Sequence, residues 1–180
     1  MRLFIALNFP EDVRAQIQEI LDTVRAQSLQ GRFVGDEQLH LTLEFLGDVP
    51  PSRISLIRQA LDGLEGEAFT LRLTRAGAFR QREGDVFWLG VERGAPLMAL
   101  QSALHKSLLE KGFTLENRPY TPHITLGRKV KLKDGFDPKS LDAAVGAIAA
   151  PITKVDLMRS ELSPAGARYT VVYSRPLRGA

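Results

Sequence analysis

The chain has 180 residues, 44% of them hydrophobic and 25% charged, with a net charge of +3 and no cysteine. A chain of this length buries a core large enough to need neither disulfides nor a structural metal. The lack of cysteine excludes disulfide frameworks, zinc–thiolate sites and thiol nucleophiles and fits a reducing, cytoplasmic setting, and no stretch approaches the roughly 20 apolar residues that span a bilayer.

Leu3, Ile5, Leu7 and Phe9 alternate with smaller or polar residues, which predicts a first strand rather than a signal peptide. Pro10-Glu11-Asp12 then marks a helix start, and Val13, Ile17, Ile20, Leu21 and Val24 form its apolar stripe. Gly31 is expected to close the connection after that helix. Residues 38–46 read as a strand, Asp48–Pro51 as a turn, and Ile54, Ile57, Leu61 and Leu64 as a second helix. Phe69, Leu71 and Leu73 predict another strand, and Val86–Val91 an apolar one. A third helix follows Gly94, with Leu97, Leu100, Leu104 and Leu108 inward and Gly112 as its stop. A further strand surrounds residues 123–126, and a weak helix follows near Leu141, Val145 and Ile148. Two final strands, near 152–162 and 168–174, are joined by a turn at Ser163–Gly166. The segment 127–139, rich in Lys, Gly, Asp and Pro, is expected to be a mobile surface loop. Helices mixed with hairpin-like strand pairs place the chain in the α+β class with antiparallel sheet.

Two tetrads rhyme along this order: His40-Leu41-Thr42-Leu43 and His123-Ile124-Thr125-Leu126. On a strand, His and Thr at i and i+2 point to one face while the aliphatic residues point to the other. A single tetrad is an ordinary half-buried strand. The pair supplies two imidazoles and two hydroxyls to one shared site. A neutral imidazole accepts a proton while a protonated one donates, which suits in-line cleavage of a phosphodiester. The hydroxyls can hold non-bridging phosphate oxygens.

Rival chemistries lack their residues. Only one further histidine exists, His105, and it sits among leucines on the third helix, where a structural role fits better than a zinc site. Phosphate-binding and dinucleotide-binding glycine loops are missing, and so is a serine-hydrolase elbow. Basic residues cluster at Arg72, Arg75, Arg80 and Arg82, and again at Arg118, Arg128, Lys129, Lys131 and Lys133. Such clusters suit phosphate, although solvated loops account for any single member.

At these residues the chain resembles the 2H phosphoesterase superfamily, and most nearly its RNA 2′,3′-cyclic phosphodiesterases, also called 2′-5′ RNA ligase-like proteins. The resemblance extends over Arg2–Ala6, Leu39–Gly47, Pro119–Arg128 and Ser160–Tyr169, in the expected order. It departs at Arg32-Phe33-Val34-Gly35, where the family often carries Trp and Pro. The resemblance implies one domain over residues 1–180 with two intertwined lobes. Two pseudo-symmetric antiparallel sheets would flank a groove, with helices on the outer faces. It implies metal-free and cofactor-free hydrolysis of an RNA 2′,3′-cyclic phosphate end to a 2′-phosphate. His40 would be the proton donor and His123 the proton acceptor, with Thr42 and Thr125 on the phosphate.

Arg128 is a further phosphate-binding candidate, although strict alternation would turn it away from His123 unless Gly127 breaks the strand. Phe45 shares parity with Leu41 and Leu43, which favours the core, yet the strand end could free it to stack on a base. Arg118 and Tyr120 flank the second tetrad within reach of a nucleotide. Two other functions stay open, a 2′-5′ ligase running the same site in reverse and a non-catalytic RNA-binding module. No long exposed apolar stripe calls for an obligate protein partner.

Overall fold

The computed structural model describes residues 1–180. In chain order it contains β1 (Arg2–Asn8), α1 (Glu11–Ala26), β2 (Ser28–Phe33), β3 (His40–Asp48), α2 (Ile54–Asp62), β4 (Phe69–Phe79) and β5 (Asp85–Val91). It continues with α3 (Ala95–Glu110), β6 (His123–Leu132), α4 (Asp142–Gly146), β7 (Ala149–Ile152), β8 (Lys154–Ser163) and β9 (Gly166–Pro176).

The strands form two sheets, ordered β3-β1-β8-β9 and β2-β6-β5-β4-β7, and every strand pairing within them is antiparallel. The first sheet joins both ends of the chain, and the second is built mainly from its middle. The expected α+β architecture with two antiparallel sheets is what the chain adopts.

Alternation decides which face of each sheet is covered. Leu3, Ile5 and Leu7 of β1, Leu41 and Leu43 of β3, and Ile124 and Leu126 of β6 enter one continuous core. That core also takes Val13, Ile17, Leu21 and Val24 from α1 and Leu97, Leu100, Leu104 and Leu108 from α3. Each such side chain contributes about 1.5–3 kcal/mol of burial, so the apolar half of each tetrad anchors its strand. The polar half is left on the opposite face. No helix is long and apolar enough to cross a membrane.

Three local expectations are corrected. Gly31 does not close a connection, because it lies inside β2, an edge strand whose pairing with β6 compensates for its own weak apolar pattern. The lysine-rich segment after Gly127 is not a mobile loop up to Leu132, because β6 continues there between β2 and β5. Strand β4 runs on to Phe79, past the alternation that ends near Leu73. Its second half packs by close approach: a Cβ on Gly77 would meet the Trp88 ring at 2.4 Å, so only glycine admits that indole.

Candidate active site

The two tetrad strands begin at their histidines, β3 at His40 and β6 at His123, and the strands approach each other across the two sheets. The Tyr120 hydroxyl donates to the Thr42 carbonyl at 2.7 Å and ties the segment before β6 to the middle of β3. Both histidines and both threonines are half-buried, while their aliphatic neighbours are in the core.

The imidazoles are held alike. His40 Nδ1 lies 2.6 Å from the Gln38 carbonyl, and His123 Nδ1 lies 2.7 Å from the Thr121 carbonyl. A carbonyl only accepts, so each Nδ1 carries the proton and each neutral ring has its lone pair on Nε2. His40 Nε2 lies 2.9 Å from Thr42 Oγ1, which places the hydroxyl beside the second ring nitrogen. Burial lowers the His40 pKa from its ordinary value, the Gln38 carbonyl works against that shift, and the charge on His123 adds to it.

Aromatic walls stand beside each ring. Phe4 and Tyr169 have centroids 5.0 and 5.5 Å from that of His40, and Phe79 meets His123 edge-on at 5.1 Å. Trp88 packs against Phe79 at 5.4 Å, with the Arg75 guanidinium 5.0 Å over the indole. Of these, Arg75 belongs to the first basic cluster of the sequence, whereas Phe79 and Trp88 carry no signal there that marks them as site residues. Trp88 sits in an apolar run that reads as core, and its pairing with Thr125 becomes visible only in the register of β5 and β6.

That register also settles where Phe45 and Arg128 lie. On β3, Ala6 faces Thr42 but Ile5 faces Glu44, so Leu43 is an extra residue, a β-bulge. On β6, Trp88 faces Thr125 but Phe87 faces Gly127, so Leu126 is the equivalent extra residue. Both tetrads thus bulge at their fourth position, and alternation resets after it. Phe45 consequently aligns with Phe4 on the His40 side and is 47% exposed, with the Arg2 guanidinium 5.0 Å over its ring. The parity argument that favoured the core for Phe45 is overturned by this bulge. Arg128 returns to the His123 side of its strand and is exposed.

Glu44 shows the other side of the same shift. It is turned into the core at 7% exposure, where Gln101 Nε2 donates to it at 3.0 Å and His105 Nδ1 bonds the same carboxylate oxygen. Burial raises the Glu44 pKa, and the His105 and Gln101 hydrogen bonds oppose that rise. His105 therefore has the structural setting expected of it. Tyr120 directs its hydroxyl at Thr42, and burial together with the Glu44 charge raises its pKa, so it stays a neutral donor. Arg118 is well exposed and pairs with Glu116 at 2.7 Å, away from these contacts. No group of three or more His, Cys, Asp and Glu side chains is arranged to hold a metal ion.

A profile of the 2′-5′ RNA ligase superfamily matches residues 9–164, which include both tetrads. The chain belongs to that superfamily. Superfamily relatives match it nearly end to end. An RNA 2′,3′-cyclic phosphodiesterase of Thermotoga maritima is 33% identical over 99% of this chain and 97% of its own length. Another of that name, from Methanothermobacter thermautotrophicus, is 35% identical over 94% and 95%. Among solved structures, Escherichia coli LigT complexed with 3′-AMP superposes with a TM-score of 0.82 at 29% identity, covering 98% of each chain. TT0787 of Thermus thermophilus superposes at 0.81 and 30% identity, covering 99% of each.

Proposed function

We propose that this protein hydrolyses the 2′,3′-cyclic phosphate at an RNA end to a 2′-phosphate, without a metal, by proton transfer between His40 and His123. The observation that carries this reading is the matched clamp on the two rings. Each Nδ1 is tied to the carbonyl two residues before it, which gives both rings the same tautomer with the lone pair on Nε2. The names of the relatives supply the substrate.

In this scheme His123 Nε2 takes a proton from water as the water oxygen attacks phosphorus. The bond from phosphorus to the 3′ oxygen breaks, and the proton on His40 Nε2 passes to that oxygen. The products are a 2′-phosphate and a free 3′-hydroxyl, so atoms and charge balance. Thr42, Thr125 and Arg128 hold the non-bridging oxygens, where fixed donors count most as charge builds in the transition state. Each proton transfer is worth about 10²–10⁴ in rate.

The donor role sets a condition on His40. Burial favours its neutral form in the free protein. A bound phosphate anion restores the proton by opposing that shift, so substrate itself arms the acid. Phe45, exposed beside the first tetrad, offers a face for the terminal base.

The test is turnover of an oligoribonucleotide 2′,3′-cyclic phosphate in excess EDTA, with the product resolved from its 3′-phosphate isomer. A 2′-phosphate formed at an unchanged rate supports the proposal. Activity lost to chelator and restored by a divalent metal overturns it.

A further inference from the structure

A cation with no acidic partner stands on the His123 face of the second sheet. Strands β4 and β5 pair Leu73 with Val91 and Ala76 with Leu89, so Thr74 and Arg75 together oppose Gly90, a third β-bulge. Gly90 in turn opposes His123 on β6, and Trp88 opposes Thr125. The Arg75 guanidinium lies 5.0 Å over the Trp88 ring, and Trp88 packs on Phe79, whose ring meets His123. Arg75, Trp88, Thr125 and His123 therefore share one face of the sheet.

The bulge is braced by the segment around α4. Asp142 Oδ1 accepts from the Ala76 N–H at 3.0 Å, and the Leu73 N–H donates to the Ile148 carbonyl at 3.1 Å. Gly90 puts no side chain between His123 and the bulge, and a Cβ there would lie 2.8 Å from Thr74 Oγ1 and 3.4 Å from the indole. The step from His123 to Arg75 is two strand spacings, about 9–10 Å between backbones, with the Thr74 hydroxyl and the indole along it. Trp88 Nε1 is buried without a hydrogen-bond partner, so the ring serves by its face, the best aromatic seat for a cation. Arg75 is exposed and forms no ion pair.

We propose that Arg75, seated on Trp88 and joined by the Thr74 hydroxyl, binds the internucleotide phosphate next to the reacting one. The assignment rests on the function proposed above and adds to it a specificity determinant, the charge of the first linkage. The cyclic phosphate carries one negative charge and is matched by Arg128 with Thr42 and Thr125. A further unpaired cation on the same face answers a second anion. With its flat face on the indole, the guanidinium keeps its edges free, and their paired donors fit the oxygens of a phosphodiester. In an RNA that ends in a cyclic phosphate, the next anion is the linkage one nucleotide away, and the long Arg75 side chain can meet it across that step. A nucleoside 2′,3′-cyclic phosphate has no such group.

The experiment compares two diadenosine substrates that end in a 2′,3′-cyclic phosphate, one with the natural linkage and one with an uncharged methylphosphonate in its place. Wild type, Arg75→Gln and Arg75→Lys are assayed on both. Calorimetry with the matching 2′-phosphate dinucleotides gives Kd without turnover. In wild type the charged linkage lowers KM and Kd about tenfold relative to the uncharged one, while kcat differs little because the linkage is not at the reacting bonds. Arg75→Gln brings the two linkages within about twofold of each other in KM and Kd. Arg75→Lys keeps part of the difference, since it retains the charge and loses the planar stack. A wild type that does not distinguish the linkages, or an Arg75→Gln protein that keeps the full difference, overturns the seat. Absence of turnover on every cyclic phosphate overturns the proposed function instead, and the Kd comparison still decides the seat.

Discussion

Tyr120 and Thr42 are joined by a hydrogen bond of 2.7 Å from the phenol to the backbone carbonyl, and this bond crosses from the strand of one tetrad to the approach of the other. It fixes the strand that presents Thr42 Oγ1 to His40, so it acts on the chemistry only by positioning. Removing the hydroxyl leaves a part-buried carbonyl without this partner, at a cost of about 1 kcal/mol. Tyr120→Phe should lower Tm by several degrees and lower kcat more than it raises KM, because the phenol is not on the substrate. Thermal melts and steady-state kinetics on the one variant check both parts.

The pH profile should report the conditional acid. His40 has a lowered pKa in the free protein, so kcat/KM should begin to fall with rising pH below the ordinary histidine value of 6.5. Bound phosphate raises the same pKa, so the fall in kcat should occur at higher pH than the fall in kcat/KM. Initial rates from pH 4.5 to 9, fitted separately for the two parameters, test this separation. Coincident limbs would remove His40 from the donor role.

Arg128 and Phe45 occupy the same place in their tetrads, five residues after the histidine, and both are returned to the histidine side by a bulge. Arg128→Ala should cut kcat/KM by about 10- to 100-fold, the loss of a charged hydrogen-bonding partner, and Arg128→Lys should recover only part of it. Phe45→Ala should raise KM for cyclic-phosphate substrates with little change in kcat, since stacking on a base is worth about 1–3 kcal/mol. Kinetics on the three variants with one trinucleotide substrate separate these outcomes.

Those two residues also show how far the sequence could be read. The tetrads were legible because alternation states which side chains share a face, and the core confirms it at Leu41, Leu43, Ile124 and Leu126. Alternation fails where a strand takes an extra residue, and neither Leu43 nor Leu126 carries a mark of that in its identity. Glu44 therefore reads as a groove residue and is in fact a buried carboxylate held by Gln101 and His105. The same limit hid β2, an edge strand with four exposed residues in succession, since pairing with β6 and not its own pattern makes it a strand. Trp88 and Phe79 were hidden because groove and core aromatics look alike in sequence. Only the register with Thr125 and the contact with His123 tell them apart.

The central claim is that His40 and His123 act as one unit on a single cyclic phosphate, and single-turnover rates in EDTA test it most directly. The measurement uses wild type, His40→Ala, His123→Ala and the double variant, each shown to be folded by circular dichroism. Each single variant should lose about 10²–10⁴ in rate. The double variant should be little slower than the slower single one, as groups that work together are not additive. A single variant that keeps wild-type turnover, or a double variant whose loss is the full product of the two, would contradict the account.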